Sequence, residues 1–123
     1  IYTGWYTLSL HDALPIHRLL VRCGVSVVFH GHDHLFAKQD LEGVVYQAVP
    51  QPGHPGTAPP RFAAEYGYRS GTILGGAGHL RVKIEGGKTR IDYVRCVAGG
   101  SDGSGGHVEF SYGVSGTPQA VRP

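Results

Sequence analysis

Residues 17–34 constrain the fold more tightly than any other part of the chain. His17-Arg18-Leu19-Leu20-Val21-Arg22-Cys23 carries apolar residues at helical spacing, and Gly24 stands where a helix C-cap is expected. Val25, Val27, Val28 and Phe29 come next. This β-branched and aromatic run predicts a short buried strand over 25–30. The chain then reaches His30-Gly31-His32-Asp33-His34, which places three of its eight histidines within five residues. A helix end, a glycine, a buried strand and a polar loop at the strand's C-terminal end make up α/β organisation. In such sheets functional loops gather at those strand ends.

Histidines at i and i+2 would share one face of a regular strand. At a strand end, Gly31 lets the backbone bend so that both imidazoles point at one spot. Imidazole is the commonest metal ligand, so His32 and His34 are the candidate metal-ligating residues. His30 is either a group hydrogen-bonded to a ligand or simply a histidine at a strand end.

The rest of the chain predicts a β-rich fold. Leu35–Gln39 and Val44–Val49 read as the two strands of a hairpin, with Asp40-Leu41-Glu42-Gly43 as its turn. Residues 50–60 are proline- and glycine-rich loop, 61–68 are ambiguous, and 71–78 read as a glycine-heavy loop. His79–Glu85 alternates with Leu80, Val82 and Ile84 on one face, and Gly86-Gly87 is a two-residue hairpin turn into 88–97. On that returning strand Ile91 and Tyr93 form one side, with Thr89 expected opposite. Residues 98–106 are Gly/Ser-rich, 107–114 alternate as a last strand, and 115–123 form a tail.

With 123 residues there is room for one domain at most. A formal net charge of +2 gives no reason to expect a nucleic-acid partner, and no apolar run is long enough to cross a membrane. Cys23 and Cys96 lie in different predicted elements and are expected to be free and buried. Residues 1–16 do not fit the rest of the chain. Tyr6–Ile16 resembles the peptide that results when a sequencing adaptor is translated at the edge of an assembled contig. On that reading 1–16 carry no fold information and pack irregularly, and the chain is the C-terminal piece of a longer protein. The alternative is a genuine opening strand or capping segment.

Gly31-His32-Asp33-His34, its approach strand Val25–Phe29 and the descent Leu35–Gln39 resemble the C-terminal part of calcineurin-like metallophosphoesterases. The hairpin ending Tyr46-Gln47-Ala48-Val49-Pro50 and the late strand around Phe110-Ser111-Tyr112 extend the likeness over residues 17–114. The resemblance implies the C-terminal half of an α/β/β/α sandwich, mostly β in this chain. It implies two divalent or trivalent metal ions (iron, manganese or zinc), with His32 on one and His34 on the other. It also implies a phosphoester substrate. Arg61 and Arg69, in the long loop, are candidates for holding the phosphate, and Asp33 occupies the variable position and turns away.

The family's Asp-x-His, Gly-Asp-x-x-Asp and Gly-Asn-His-Glu/Asp motifs and a further histidine do not appear in this sequence. Two imidazoles do not define a pair of cations about 3.5–4 Å apart without a bridging carboxylate. The chain is therefore expected to need the missing N-terminal half of the same domain and to be inactive alone. A cupin-like all-β metal-binding barrel is the rival reading. Gly24 to His32 fits its Gly-x5-His-x-His opening, but Phe36 and Ala37 stand where its glutamate belongs. The metallo-β-lactamase pattern fails because Asp33 follows His32 directly. The histidine-triad pattern fails because Gly31 and Asp33 are not apolar. A non-catalytic metal-binding module is the third class.

Overall fold

The computed structural model describes residues 10–53, 63–96 and 106–115. Helix α1 spans Leu10–Arg22, and seven strands succeed it: β1 (Val27–His30), β2 (Phe36–Leu41), β3 (Val44–Ala48), β4 (Thr72–Leu74), β5 (Gly78–Glu85), β6 (Lys88–Arg95) and β7 (His107–Ser115). They form a four-stranded mixed sheet in the order β1-β3-β2-β4 and a three-stranded antiparallel sheet in the order β5-β6-β7. The fold is mostly β, as expected.

The pairing follows from the turns. Glu42 and Gly43 join β2 to β3 with φ of +47° and +83°, and Gly86 and Gly87 join β5 to β6 with +55° and +75°. Two consecutive positive φ values match the right-handed twist of the flanking strands, which makes these two-residue hairpins. β1 instead runs parallel to β3, from Val27 beside Val45 to His30 beside Ala48. This parallel pair puts the histidine turn at the C-terminal end of a sheet strand, where the sequence placed it.

β3 is buried along its whole length. A central strand covered on both faces reads as a nearly continuous apolar run, and Val44-Val45-Tyr46-Gln47-Ala48 is one. Alternation divides it. Val45 points to the three-stranded sheet and packs in one cluster with Ile91 and Val114, flanked by Val27, Leu80 and Tyr112. Gln47, on the same face and fully buried, donates to the Ala48 carbonyl at 2.8 Å and accepts from the Tyr112 hydroxyl at 2.8 Å. Phe36 stacks on Tyr93 with centroids 4.8 Å apart and meets Phe110 edge-on at 5.7 Å. Ala48 points the other way, into a second cluster with Leu35, Ala37, Ala63 and Tyr68, against which Ile73 packs.

Several expectations need correction. The loop expected at 71–78 contains β4, whose Ile73 pairs with Ala37. It is three residues long, too short for periodicity to reveal it. The helix expected to have its last turns over 17–23 does end at Arg22, but it begins at Leu10, within the segment expected to be irregular, and carries Pro15 inside it, where a backbone donor is lost. The described part of the opening segment is thus helix rather than strand, and residues 1–9 lie outside the described residues. Thr89 shares the face of Ile91, two residues away, and pairs with Ile84. Cys23 is exposed, because it lies just past the end of α1, while Cys96 is half-buried. A half-sandwich lacking its partner sheet is expected to leave one apolar sheet face bare, but here the two sheets cover each other through Val45, Ile91 and Val114. Apolar residues stay exposed at the margins: Phe29 on the edge strand β1, Leu41 at the end of β2, Val82 and Ile84 on the edge strand β5 and Val108 on the edge strand β7. Among the described residues the strands form two separate sheets and do not close into a barrel.

The outer face of the three-stranded sheet is polar and built on one carboxylate. Asp92 is 1% exposed, and it accepts from Arg81, Arg90 and the Ser111 hydroxyl at 2.6–3.1 Å. The Ser111 hydroxyl first, then the two guanidiniums, hold its carboxyl well below the usual carboxylate range. Next along β6 is a β-bulge at Tyr93/Val94. Glu109 is its extra residue, and its carboxylate meets Arg95 at 2.9 Å.

Candidate functional site

The candidate site is the turn from Gly31 to Leu35, between the end of β1 and the start of β2. On β1, alternation sends His30 to the same face as Ala48, its ladder partner. That face carries the Leu35, Ala37 and Tyr68 cluster. Leu35 and Ala37 are buried, so β2 begins from an anchored point. The Val49 amide donates to the His30 carbonyl at 2.8 Å and closes the other end.

Between those anchors the backbone enters a conformation that side-chain-bearing residues rarely adopt. φ is +97° at His32 and +55° at His34. Glu42, in the β2–β3 turn, has the third positive φ among the described residues other than glycine. Each such residue costs on the order of 1–3 kcal/mol and persists only where its surroundings over-determine it. Gly31, by contrast, has open space where a Cβ would stand. The strain therefore falls on the two histidines rather than on the glycine. The expectation that Gly31 supplies the bend is corrected accordingly: the bend lies at His32 and His34 themselves.

Both of these side chains are exposed, and Asp33 between them is half-buried. Asp33 accepts from the Tyr68 hydroxyl, Oδ2 to Oη 2.6 Å. This short bond ties its carboxylate to the long loop's return. Tyr68 also lies parallel to His30, with ring centroids 6.4 Å apart and 13° between planes. Burial, helped by the adjacent Asp33, pushes the Tyr68 phenol well up, so it remains a donor. Burial lowers the His30 pKa, opposed by the negative charge of Asp33.

Arg61 lies outside the described residues, as does His54, the histidine of the proline- and glycine-rich loop. Arg69, next after Tyr68, is exposed. Tyr68, which the sequence offered only as one of several long-loop residues able to hold a phosphate, is instead bonded to Asp33. It is 35 residues from Asp33 in the chain, and no local pattern joins the two.

As donors, His32 and His34 suit a transition metal or zinc. Among the described residues, however, no group of three or more His, Cys, Asp or Glu side chains converges to hold an ion. No described helix is long and apolar enough to cross a membrane. Comparison with protein families, with curated proteins and with solved structures gave no match to this chain.

Proposed function

We propose that His32 and His34 are metal ligands of a calcineurin-like metallophosphoesterase, and that this chain contributes the Gly-His-x-His part of its site. The observation that supports the reading best is the strain. Two histidines at positive φ flank one residue, at the C-terminal end of a sheet strand. Strained residues of this kind cluster at functional sites, where geometry matters more than stability. A histidine turn kept only for packing would have no reason to hold exposed side chains in this conformation.

In the family two metal ions polarise the phosphoryl group and supply a hydroxide near neutral pH. This chain's own contribution is narrower: it presents two imidazoles from a fixed turn. The remaining ligands, including a bridging carboxylate, come from the upstream motifs of the complete enzyme. The test uses that enzyme, with the reading frame upstream of residue 17 restored. His32→Ala or His34→Ala abolishes or strongly reduces phosphoester hydrolysis with the fold intact, while His54→Ala does far less. The 123-residue chain alone has no phosphatase activity with added metal. Full activity in both histidine variants overturns the proposal, and tight metal binding by this chain alone favours a non-catalytic metal-binding module instead.

A further inference from the structure

We infer that Tyr68 is the positioning residue of the His32–His34 turn, holding it from the long loop through Asp33 and His30. The inference takes its purpose from the metal-ligand reading, but the positioning is a property of this chain and is tested on it. The β1–β3 ladder ends at His30, and the β2–β4 ladder resumes at Phe36. The strained residues lie between the two, at φ +97° and +55°. Regular strand pairing therefore does not over-determine them, and side-chain restraints must contribute.

Tyr68 reaches this region at three points. Its hydroxyl donates to Asp33 Oδ2 at 2.6 Å. Its ring lies parallel to the His30 ring, 13° from coplanar. It also packs in one apolar cluster with Leu35, the residue that ends the turn. These contacts touch the start, the middle and the end of the segment. Asp33 stands between the two histidines, so a bond that fixes Asp33 restrains both. A hydroxyl bonded to a carboxylate is a charge-assisted bond, stronger than a neutral one. Tyr68 is itself anchored: it is 4% exposed, and its amide donates to the Ala63 carbonyl at 2.9 Å. The turn before it runs over residues 63–67. The reach thus goes from a rigid point to a strained one, which is how a supporting residue holds ligand geometry.

Tyr68→Phe deletes the hydroxyl and keeps the ring, its burial and its stacking on His30. In NMR spectra of the isotope-labelled chain, the backbone shifts of residues 31–35 move. Amide exchange there rises about tenfold, the loss expected for one charge-assisted bond. Shifts of β5, β6 and β7 stay in place. Asp33→Ala reproduces the change, and the double variant is no worse than either single one, since both remove the same bond. Asp33→Asn retains an acceptor oxygen but not its charge, and falls between wild type and Asp33→Ala. A Zn²⁺ titration followed on the His32 and His34 ring signals weakens about threefold to tenfold in Tyr68→Phe, one step removed from the 10–100-fold cost of losing a ligand's direct partner. A turn whose shifts and exchange are unaltered in Tyr68→Phe overturns the inference, as does a double variant that sums two independent losses. If the wild-type His32 and His34 rings ignore Zn²⁺ in this chain alone, the turn's own shifts still decide the role of Tyr68, and the metal-ligand reading is decided separately by activity of the complete enzyme.

Discussion

The Nδ1 atom of His17 lies 2.7 Å from the Tyr46 hydroxyl, and its Nε2 lies 3.0 Å from Glu42 Oε2. Ionised Glu42 offers only acceptors, so Nε2 donates to it, while Nδ1 meets the Tyr46 hydroxyl. His17 is 6% exposed, on the helix face that meets the sheet, whereas Ile16 and Leu19 are more than half exposed. The pair therefore docks α1 onto β3 and onto the β2–β3 turn. His17→Leu removes both polar links. We expect it to lower stability by about 1–2 kcal/mol and to raise amide exchange throughout α1, measured by urea denaturation and hydrogen exchange. Unchanged exchange in α1 would mean that the helix is held by other contacts.

Replacing a strained histidine by glycine relieves its backbone, whereas alanine does not. His34 sits at φ +55°. In that region a Cβ costs about 1–2 kcal/mol relative to glycine. His34→Gly is expected to exceed His34→Ala in stability by about 1 kcal/mol, and the same order holds for His32. Both variants lose the imidazole, so neither keeps the ligand. Thermal melts of the four variants decide this, and an alanine variant as stable as its glycine counterpart would argue against stored strain.

Two glycines at positive φ separate geometry from space. A Cβ on Gly71, at φ +92°, would lie 2.1 Å from the Lys38 carbonyl oxygen of β2. A Cβ on Gly86, at φ +55°, meets nothing within 4 Å. Gly86→Ala therefore costs only its backbone conformation, about 1 kcal/mol. Gly71→Ala must also push β4's approach away from β2 and costs upward of about 2 kcal/mol. Equal denaturation midpoints for the two would contradict the close approach.

Asp92 makes the three-stranded sheet acid-sensitive. Ser111 and the guanidiniums of Arg81 and Arg90 depress its pKa in the folded chain. A depressed carboxylate contributes stability that is fully present above its unfolded value, near 3.9, and is lost as pH falls through the folded value below it. The melting temperature of the wild type should therefore stay above that of Asp92→Asn at neutral pH. The gap should then close below about pH 4. A gap that is constant down to pH 2 would remove the charge from the explanation.

The main elements were legible in local pattern. The C-cap glycine, the β-branched run into His30 and the alternation of Leu80, Val82 and Ile84 each act through the chain's own period. Two adjacent glycines are enough to specify the Gly86-Gly87 hairpin. For the same reason His32 and His34 were found as candidates, since their spacing and their place at a strand end are both local. β4 was not legible, because three residues carry too little periodicity and the strand exists only through its pairing with β2.

What the chain order left open was decided by contacts between distant residues. His17 became a docking group because Tyr46 and Glu42, 29 and 25 residues away, face it across the helix–sheet boundary. Asp92, on a strand whose alternation places it outward, is buried because arginines from its own strand and from β5, together with Ser111 of β7, close over it. Tyr68 reaches Asp33 from a loop whose course no periodicity describes. By itself the sequence determined the face that Leu80, Val82 and Ile84 share on β5, because side-chain direction along an uninterrupted strand follows from the backbone period alone. Only the tertiary structure decided that the bend falls on His32 and His34 rather than on Gly31. A strained φ is set by anchors on both sides of a turn, and those anchors, β3 and Tyr68, come from elsewhere in the chain.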